Sequence, residues 1–176
     1  MQAPPTIDLA ALGLKAGEAR RLDERVALAP IVFGDSSYAV DPEPLSVSAD
    51  VTRLVRGGWS LRLRFSATLH GPCMRCLRDA APVFELEARE VDADDDDVAD
   101  GELDSPYVDG DRLDLGAWVR DVLMLALPAQ ILCEPACPGL CPVCGVDLRE
   151  HPGHQHEREP DPRWAVLGQI RFDDEH

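Results

Sequence analysis

Six cysteines constrain this chain more than any other feature, because they fall in three close pairs: Cys73 and Cys76, Cys133 and Cys137, Cys141 and Cys144. Two pairs are spaced C-x-x-C and one C-x-x-x-C. The last lies in Cys141-Pro142-Val143-Cys144-Gly145, the sequence of a zinc knuckle. In such a turn the glycine relieves crowding and backbone amides can point at the sulfurs. Cysteines paired at these spacings converge on one tetrahedral Zn²⁺ with little loop entropy left to lose.

Whether such thiols hold metal or cross-link depends on the compartment. The start, Met1-Gln2-Ala3-Pro4-Pro5, has neither the basic nor the apolar region of a signal peptide. No run approaches the roughly 18 apolar residues that span a bilayer. The expectation is therefore a cytoplasmic chain with no membrane contact, where reduced thiols bind metal. Its 176 residues suit one domain, or one domain with a small appendage, and 45% hydrophobic residues supply a core.

The net charge of −16 argues against an all-over nucleic-acid coat. The charge is uneven. Residues 51–78 contain no carboxylate but hold Arg53, Arg56, Arg62, Arg64, Arg75 and Arg78. Residues 92–104 reverse this, with Asp92, Asp94, Asp95, Asp96, Asp97, Asp100, Glu102 and Asp104 and no basic residue. An acidic run reads first as a solvated loop, and second as an arm for a basic partner. The arginines read either as an ordinary exposed strand face or as phosphate contacts, since no carboxylate stands near them in sequence.

Periodicity sets the organisation. Residues 18–28 and 42–55 read as strands, the second with Leu45, Val47, Ala49 and Val51 on one face. Gly57-Gly58 predicts a tight hairpin turn. Trp59, Leu61, Leu63, Phe65, Ala67 and Leu69 then alternate with polar residues, which predicts a half-buried strand with Arg62 and Arg64 outward. Residues 83–91 return as another strand, placing Cys73 and Cys76 at a hairpin tip. Asp114 is an N-cap for a helix over 115–127 whose apolar face is Trp118, Val119, Val122, Leu123 and Ala126. Asp161-Pro162 opens a short helix over 163–170. The expected fold is α+β: an antiparallel sheet domain over 1–91 with the first cysteine pair, an acidic loop over 92–105, and a helix plus zinc-binding module over 106–176 packed on the sheet.

Six cysteines with His154 and His156 make eight donors, enough for two tetrahedra. The preferred pairing sets Cys73, Cys76, Cys133 and Cys137 on one zinc, with Arg75 and Arg78 offsetting the charge of four thiolates. Cys141, Cys144, His154 and His156 hold the second. His151 and His70 are further donors nearby. Two alternatives satisfy the spacing: the two C-x-x-C pairs on a single zinc, or the local set Cys133, Cys137, Cys141 and Cys144, which would also suit an iron–sulfur cluster. Four-thiolate sites are closed, and the chain has no G-x-S-x-G, phosphate-cradling glycine loop or H-E-x-x-H, so it reads as no enzyme.

The ordered motifs resemble the YceD (DUF177) family, the large ribosomal RNA subunit accumulation proteins of bacteria and plastids. The likeness rests on Cys73-Met74-Arg75-Cys76-Leu77 followed by an acidic loop, then Leu113-Asp114-Leu115-Gly116-Ala117-Trp118-Val119-Arg120 ending at Leu125-Ala126-Leu127-Pro128. It continues through Cys137-Pro138-Gly139-Leu140-Cys141-Pro142-Val143-Cys144-Gly145 and Asp161-Pro162-Arg163-Trp164. Relatives that lack the last cysteines favour a separate first site. Asp147 stands where many relatives carry asparagine, and His154 and His156 stand near where many carry cysteine. The resemblance implies a non-enzymatic, zinc-binding role in accumulation of large-subunit (23S-type) ribosomal RNA, with an RNA precursor or a ribosomal protein as partner. The alternatives are a zinc-dependent protein–protein adaptor without RNA contact, and a thiol or zinc enzyme.

Overall fold

The computed structural model describes residues 5–93 and 104–156. Residues 94–103 of the expected acidic loop over 92–105, and the helix expected over 163–170, lie outside the described residues, whereas Asp92 closes a strand rather than opening the loop. The chain divides into two compact units, Met1–Cys137 and Pro138–His176.

Among its described residues the first unit is antiparallel sheet with one α-helix, the α+β class read from the pattern. In chain order it holds β1 (Thr6–Asp8), β2 (Ala19–Val26), β3 (Ile31–Phe33), β4 (Ser36–Asp41), β5 (Leu45–Arg53), β6 (Trp59–Pro72), β7 (Asp79–Ala80), β8 (Val83–Asp92), β9 (Val108–Asp109), β10 (Arg112–Asp114) and α1 (Leu115–Leu125). The 14-residue β6 organises the sheet. One edge of β6 pairs with β5, opposing Val47 with Phe65 and Val51 with Leu61. Further along the same edge Val40 of β4 meets Leu69. The other edge takes β8 from Trp59–Asp92 to Thr68–Val83. β2 flanks β5.

Strict alternation is what buries this face. Trp59, Leu61, Leu63, Phe65, Ala67 and Leu69 are all buried, as are Leu45, Val47, Ala49 and Val51 beside them. Each large aliphatic side chain so covered contributes about 1.5–3 kcal/mol. The β5–β6 turn needs its glycines: Gly57 and Gly58 have φ of 107° and 80°. A Cβ on Gly58 would also run into the Asp92 carbonyl oxygen of β8. Asp114 caps α1, its carboxylate accepting from the Ala117 amide at 2.9 Å. Trp118, Val119 and Leu123 form the helix's buried stripe, and the helix lies against β8, β1 and β2.

Two parts escape the sequence pattern. The β3–β4 hairpin turns at Gly34-Asp35 and buries Ile31, Tyr38 and Val40. The small sheet β1–β10–β9 consists of strands of two or three residues. Runs that short give too few positions to show a period of two. No helix among the described residues is long and apolar enough to cross a membrane.

Candidate metal centre

The β6–β7 hairpin closes through Gly71–Ala80 and Pro72–Asp79, so the first knuckle sits at its tip. The Cys73 amide donates to the Arg78 carbonyl at 2.7 Å, and the Leu77 amide to the Cys73 carbonyl at 2.9 Å. The second knuckle repeats this turn. The Cys141 amide donates to the Val146 carbonyl and the Gly145 amide to the Cys141 carbonyl, both at 2.8 Å. The fifth residue is left-handed in each, Leu77 at φ 61° and Gly145 at φ 73°. Leu77 is the one non-glycine residue with positive φ among those described. The geometry that sequence reading tied to a glycine is thus imposed on a leucine in the first knuckle.

What brings the second pair to this tip is backbone. The Met74 amide donates to the Ile131 carbonyl at 2.9 Å, and the Ile131 amide returns a bond to Met74 Sδ at 3.4 Å. Ile131 is fully buried and anchors the segment after α1. Cys133 and Cys137 then face Cys73 and Cys76. Cys73 Sγ lies 3.8 Å from Cys137 Sγ, and Cys76 Sγ lies 3.6 Å from Cys133 Sγ. Four thiolates about 2.3 Å from a tetrahedral Zn²⁺ stand about 3.8 Å apart, so the set fits that ion. All six cysteines are free thiols. Arg75 closes the rim, donating to the Cys137 carbonyl and to Gln130 Oε1, both at 3.1 Å. Beneath the tip the buried Tyr38 donates its hydroxyl to the Pro72 carbonyl at 2.9 Å, and its ring lies on Gly71.

The surroundings split the two thiols of the first knuckle. Burial pushes Cys73 up, but the amides of Arg75, Cys76 and Cys133 and the Cys76 thiol pull it down to about 6. Cys76 moves the other way, to about 12: the Arg78 amide lowers it, but burial and the neighbouring sulfurs of Cys73, Cys133 and Cys137 outweigh that. Within this pair the Cys73 thiol therefore gives up its proton more readily than the Cys76 thiol.

The second set is complete within its own unit. Sγ of Cys141 and Cys144 and one ring nitrogen each of His154 and His156 all lie within 4.8 Å of one another, as do the four sulfurs of the first set. Cys144 Sγ is 3.1 Å from His154 Nε2 and 3.2 Å from His156 Nε2, and the two Nε2 atoms are 2.9 Å apart. The amides of Cys144 and Val143 lower the Cys141 thiol to about 6 against the effect of burial, with help from Cys144 and His154. The donor set of two thiolates and two imidazoles suits Zn²⁺. His70 and His151 belong to neither set. Of the three ligand pairings read from the sequence, the structure assembles the first.

The arginines are placed differently from the expectation that they lack local partners. Arg62 meets Glu87 of β8 at 2.6 Å, and Arg64 meets Asp50 of β5 at 2.6 Å. Asp50 also accepts from Arg21 of β2 at 2.7 Å, which holds its carboxyl below the ordinary range despite burial. Arg62, with Arg89 beside it, does the same for Glu87. Arg53 stacks 4.5 Å over the Trp59 ring and lies 3.9 Å from Asp111, which also accepts from Trp59 Nε1. Arg75 belongs to the metal-set rim. Arg56 and Arg78 also make interactions within the chain. The missing signal was register, which sets carboxylates of β5 and β8 opposite arginines of β6.

Fold and ligand sets together define an α+β protein with a sheet-borne cysteine cluster and a separate cysteine–histidine cluster. The family model described as "Large ribosomal RNA subunit accumulation protein YceD" matches residues 61–171, and the chain belongs to that family. An uncharacterised protein of Mycobacterium tuberculosis is 33% identical over 168 residues, covering 94% of this chain and 80% of the relative. The uncharacterised protein YlbN of Bacillus subtilis is 30% identical over 129 residues, covering 66% and 71%. A Zea mays relative named "Large ribosomal RNA subunit accumulation protein YCED homolog 1, chloroplastic" is 27% identical over 145 residues, covering 65% and 49%. No solved structure matches the chain.

Proposed function

We propose that this chain is a non-enzymatic, cytoplasmic zinc protein that supports accumulation of large-subunit (23S-type) ribosomal RNA by binding an RNA precursor or a ribosomal protein during assembly. The observation that carries the metal part is two complete four-ligand sets, each with its donor atoms within 4.8 Å of one another. Family membership carries the ribosomal part. Cys73, Cys76, Cys133 and Cys137 hold one Zn²⁺, and Cys141, Cys144, His154 and His156 the other. With four protein donors each, both ions are coordinatively closed, so they supply cross-links rather than a water nucleophile. The first ties the β6–β7 tip to the segment after α1. The second ties the knuckle at Cys141 to the His154–His156 segment.

In this reading Arg53, Arg56, Arg62, Arg64, Arg75 and Arg78 contact RNA, and the run over 92–104 takes a basic partner. RNA phosphates must then compete with the carboxylates already paired to Arg62 and Arg64. Those pairs are partly exposed and individually weak, so exchange is cheap. The test removes the competitors. Asp50→Asn with Glu87→Gln should tighten binding to precursor RNA and steepen its salt dependence, and Arg62→Gln with Arg64→Gln should weaken both. Conditional depletion should lower the ratio of large- to small-subunit ribosomal RNA. A depleted strain with an unchanged ratio would refute the ribosomal reading.

A protein–protein adaptor without RNA contact is the second reading. The pairing of Arg62 and Arg64 with Glu87 and Asp50 favours it. It gains if neither double variant changes RNA association while ribosomal RNA levels still depend on the chain.

A further inference from the structure

We infer that the two ligand sets are unequal: Cys73, Cys76, Cys133 and Cys137 form a permanent staple, whereas Cys141, Cys144, His154 and His156 form an exchangeable zinc site whose occupancy folds residues 139–156. This rests on the zinc reading above and goes beyond it by assigning the two ions different exchange behaviour.

Burial separates them first. Cys73 and Cys137 are fully buried, Cys76 is buried and Cys133 half-buried. In the second set Cys141 is buried, but Cys144 and His156 are exposed and His154 is half-buried. Metal exchange needs an incoming ligand to reach the ion, and the exposed Cys144 and His156 leave the second set more open to one than the first. A cavity of about 340 Å³ lies over it, lined by Cys141, Val143, Leu148, His154 and His156 among others.

Support separates them next. Opening the first set means parting Met74 from Ile131 and Arg75 from Cys137, on a hairpin continuous with the central strand β6. The second set is held by bonds between near neighbours: Leu148 to Gly139, His151 to Asp147, and His154 to His151. His154 and His156 can swing away without disturbing a strand. Among the described residues of this unit, Cys141 is the one buried side chain. Residues 139–156 by themselves thus bury a single side chain, and an ion bound by four of them would add to their folding free energy.

Donor chemistry separates them last. Neutral imidazoles leave an ion with less electrostatic loss than thiolates do, and a two-thiolate, two-imidazole site carries no net charge to retain the cation.

The experiment challenges the two-zinc protein with excess EDTA at neutral pH. A chromophoric zinc indicator reads release, and hydrogen exchange is followed by peptide. One equivalent should leave about tenfold or more faster than the other, because local opening governs its release. Its departure should erase protection across 139–156 and leave 73–78 and 131–137 unchanged. His154→Ala with His156→Ala should bind one zinc and show the slow phase alone. His154→Cys with His156→Cys should keep two ions and slow the fast phase, a check that holds even if the alanine variant folds poorly. Two ions leaving together, or a fast phase surviving in the alanine variant, would overturn the inference. Protein that binds no zinc at either set would instead sink the zinc reading itself, a separate outcome.

Discussion

The sharpest consequence of the first ligand set is that cysteines far apart in sequence should fail together. Cys76 and Cys133 are 57 residues apart in the chain, with their sulfurs 3.6 Å apart. A metal joining them closes a loop of that length. By the chain-entropy estimate used for cross-links, closing such a loop stabilises the folded state by about 4 kcal/mol. Cys76→Ser and Cys133→Ser should each release the same zinc and each lose about that much. For a unit of this size that is a fall in Tm of roughly 12–20 °C. The double variant should lose little more than either single one, because the ion is already gone, whereas independent sites would add to about 8 kcal/mol. Native mass spectrometry counts the ions and urea denaturation gives the energies. If Cys76→Ser spares the zinc held at Cys133 and Cys137, or if the two losses add, the shared site is wrong.

Two further outcomes test the scaffold around the knuckles. Gly71→Ala should cost about 2 kcal/mol or more by driving a methyl group into the buried Tyr38 ring, and Tyr38→Phe about 1 kcal/mol by orphaning the Pro72 carbonyl, both read by urea denaturation. Leu77→Gly should leave stability within about 0.5 kcal/mol of wild type, because relief at φ 61° offsets the freedom that glycine adds to the unfolded chain; a loss above about 1 kcal/mol would refute strain at this position.

What could be read from the sequence follows the range over which each signal acts. The β5, β6 and β8 strands and the Gly57-Gly58 turn were legible because each is local: alternation over ten or so residues, or a backbone angle that only glycine takes cheaply. The Asp114 cap and the α1 stripe were legible for the same reason. The β3–β4 hairpin was not, since three residues of β3 cannot display a period, and the Tyr38 contact with Gly71 and Pro72 spans 34 residues. Ligand pairing lay in between. Spacing supplied the three pairs, but choosing among the pairings needed the Met74–Ile131 bonds, which nothing in the local sequence announces.

The arginine stretch shows most clearly how the two ranges part. Along the chain it is a block of six cations without a carboxylate. In the sheet its neighbours are set by register. The outward face formed by β2, β5, β6 and β8 carries Arg21, Arg25, Arg62, Arg64 and Arg89 among Asp23, Asp50, Glu85 and Glu87. Five cations among four carboxylates give a nearly balanced face, whose field decays within about 10 Å at ordinary salt. The acidic run is different in kind. Its eight carboxylates over 92–104 have no basic residue among them along the chain, and they supply half of the net charge of −16. Long-range attraction of a partner depends on uncompensated charge. The net charge of −16 therefore repels RNA at long range, so in the reading proposed above an RNA contact must arise at short range, where a phosphate can displace Glu87 or Asp50 from its arginine.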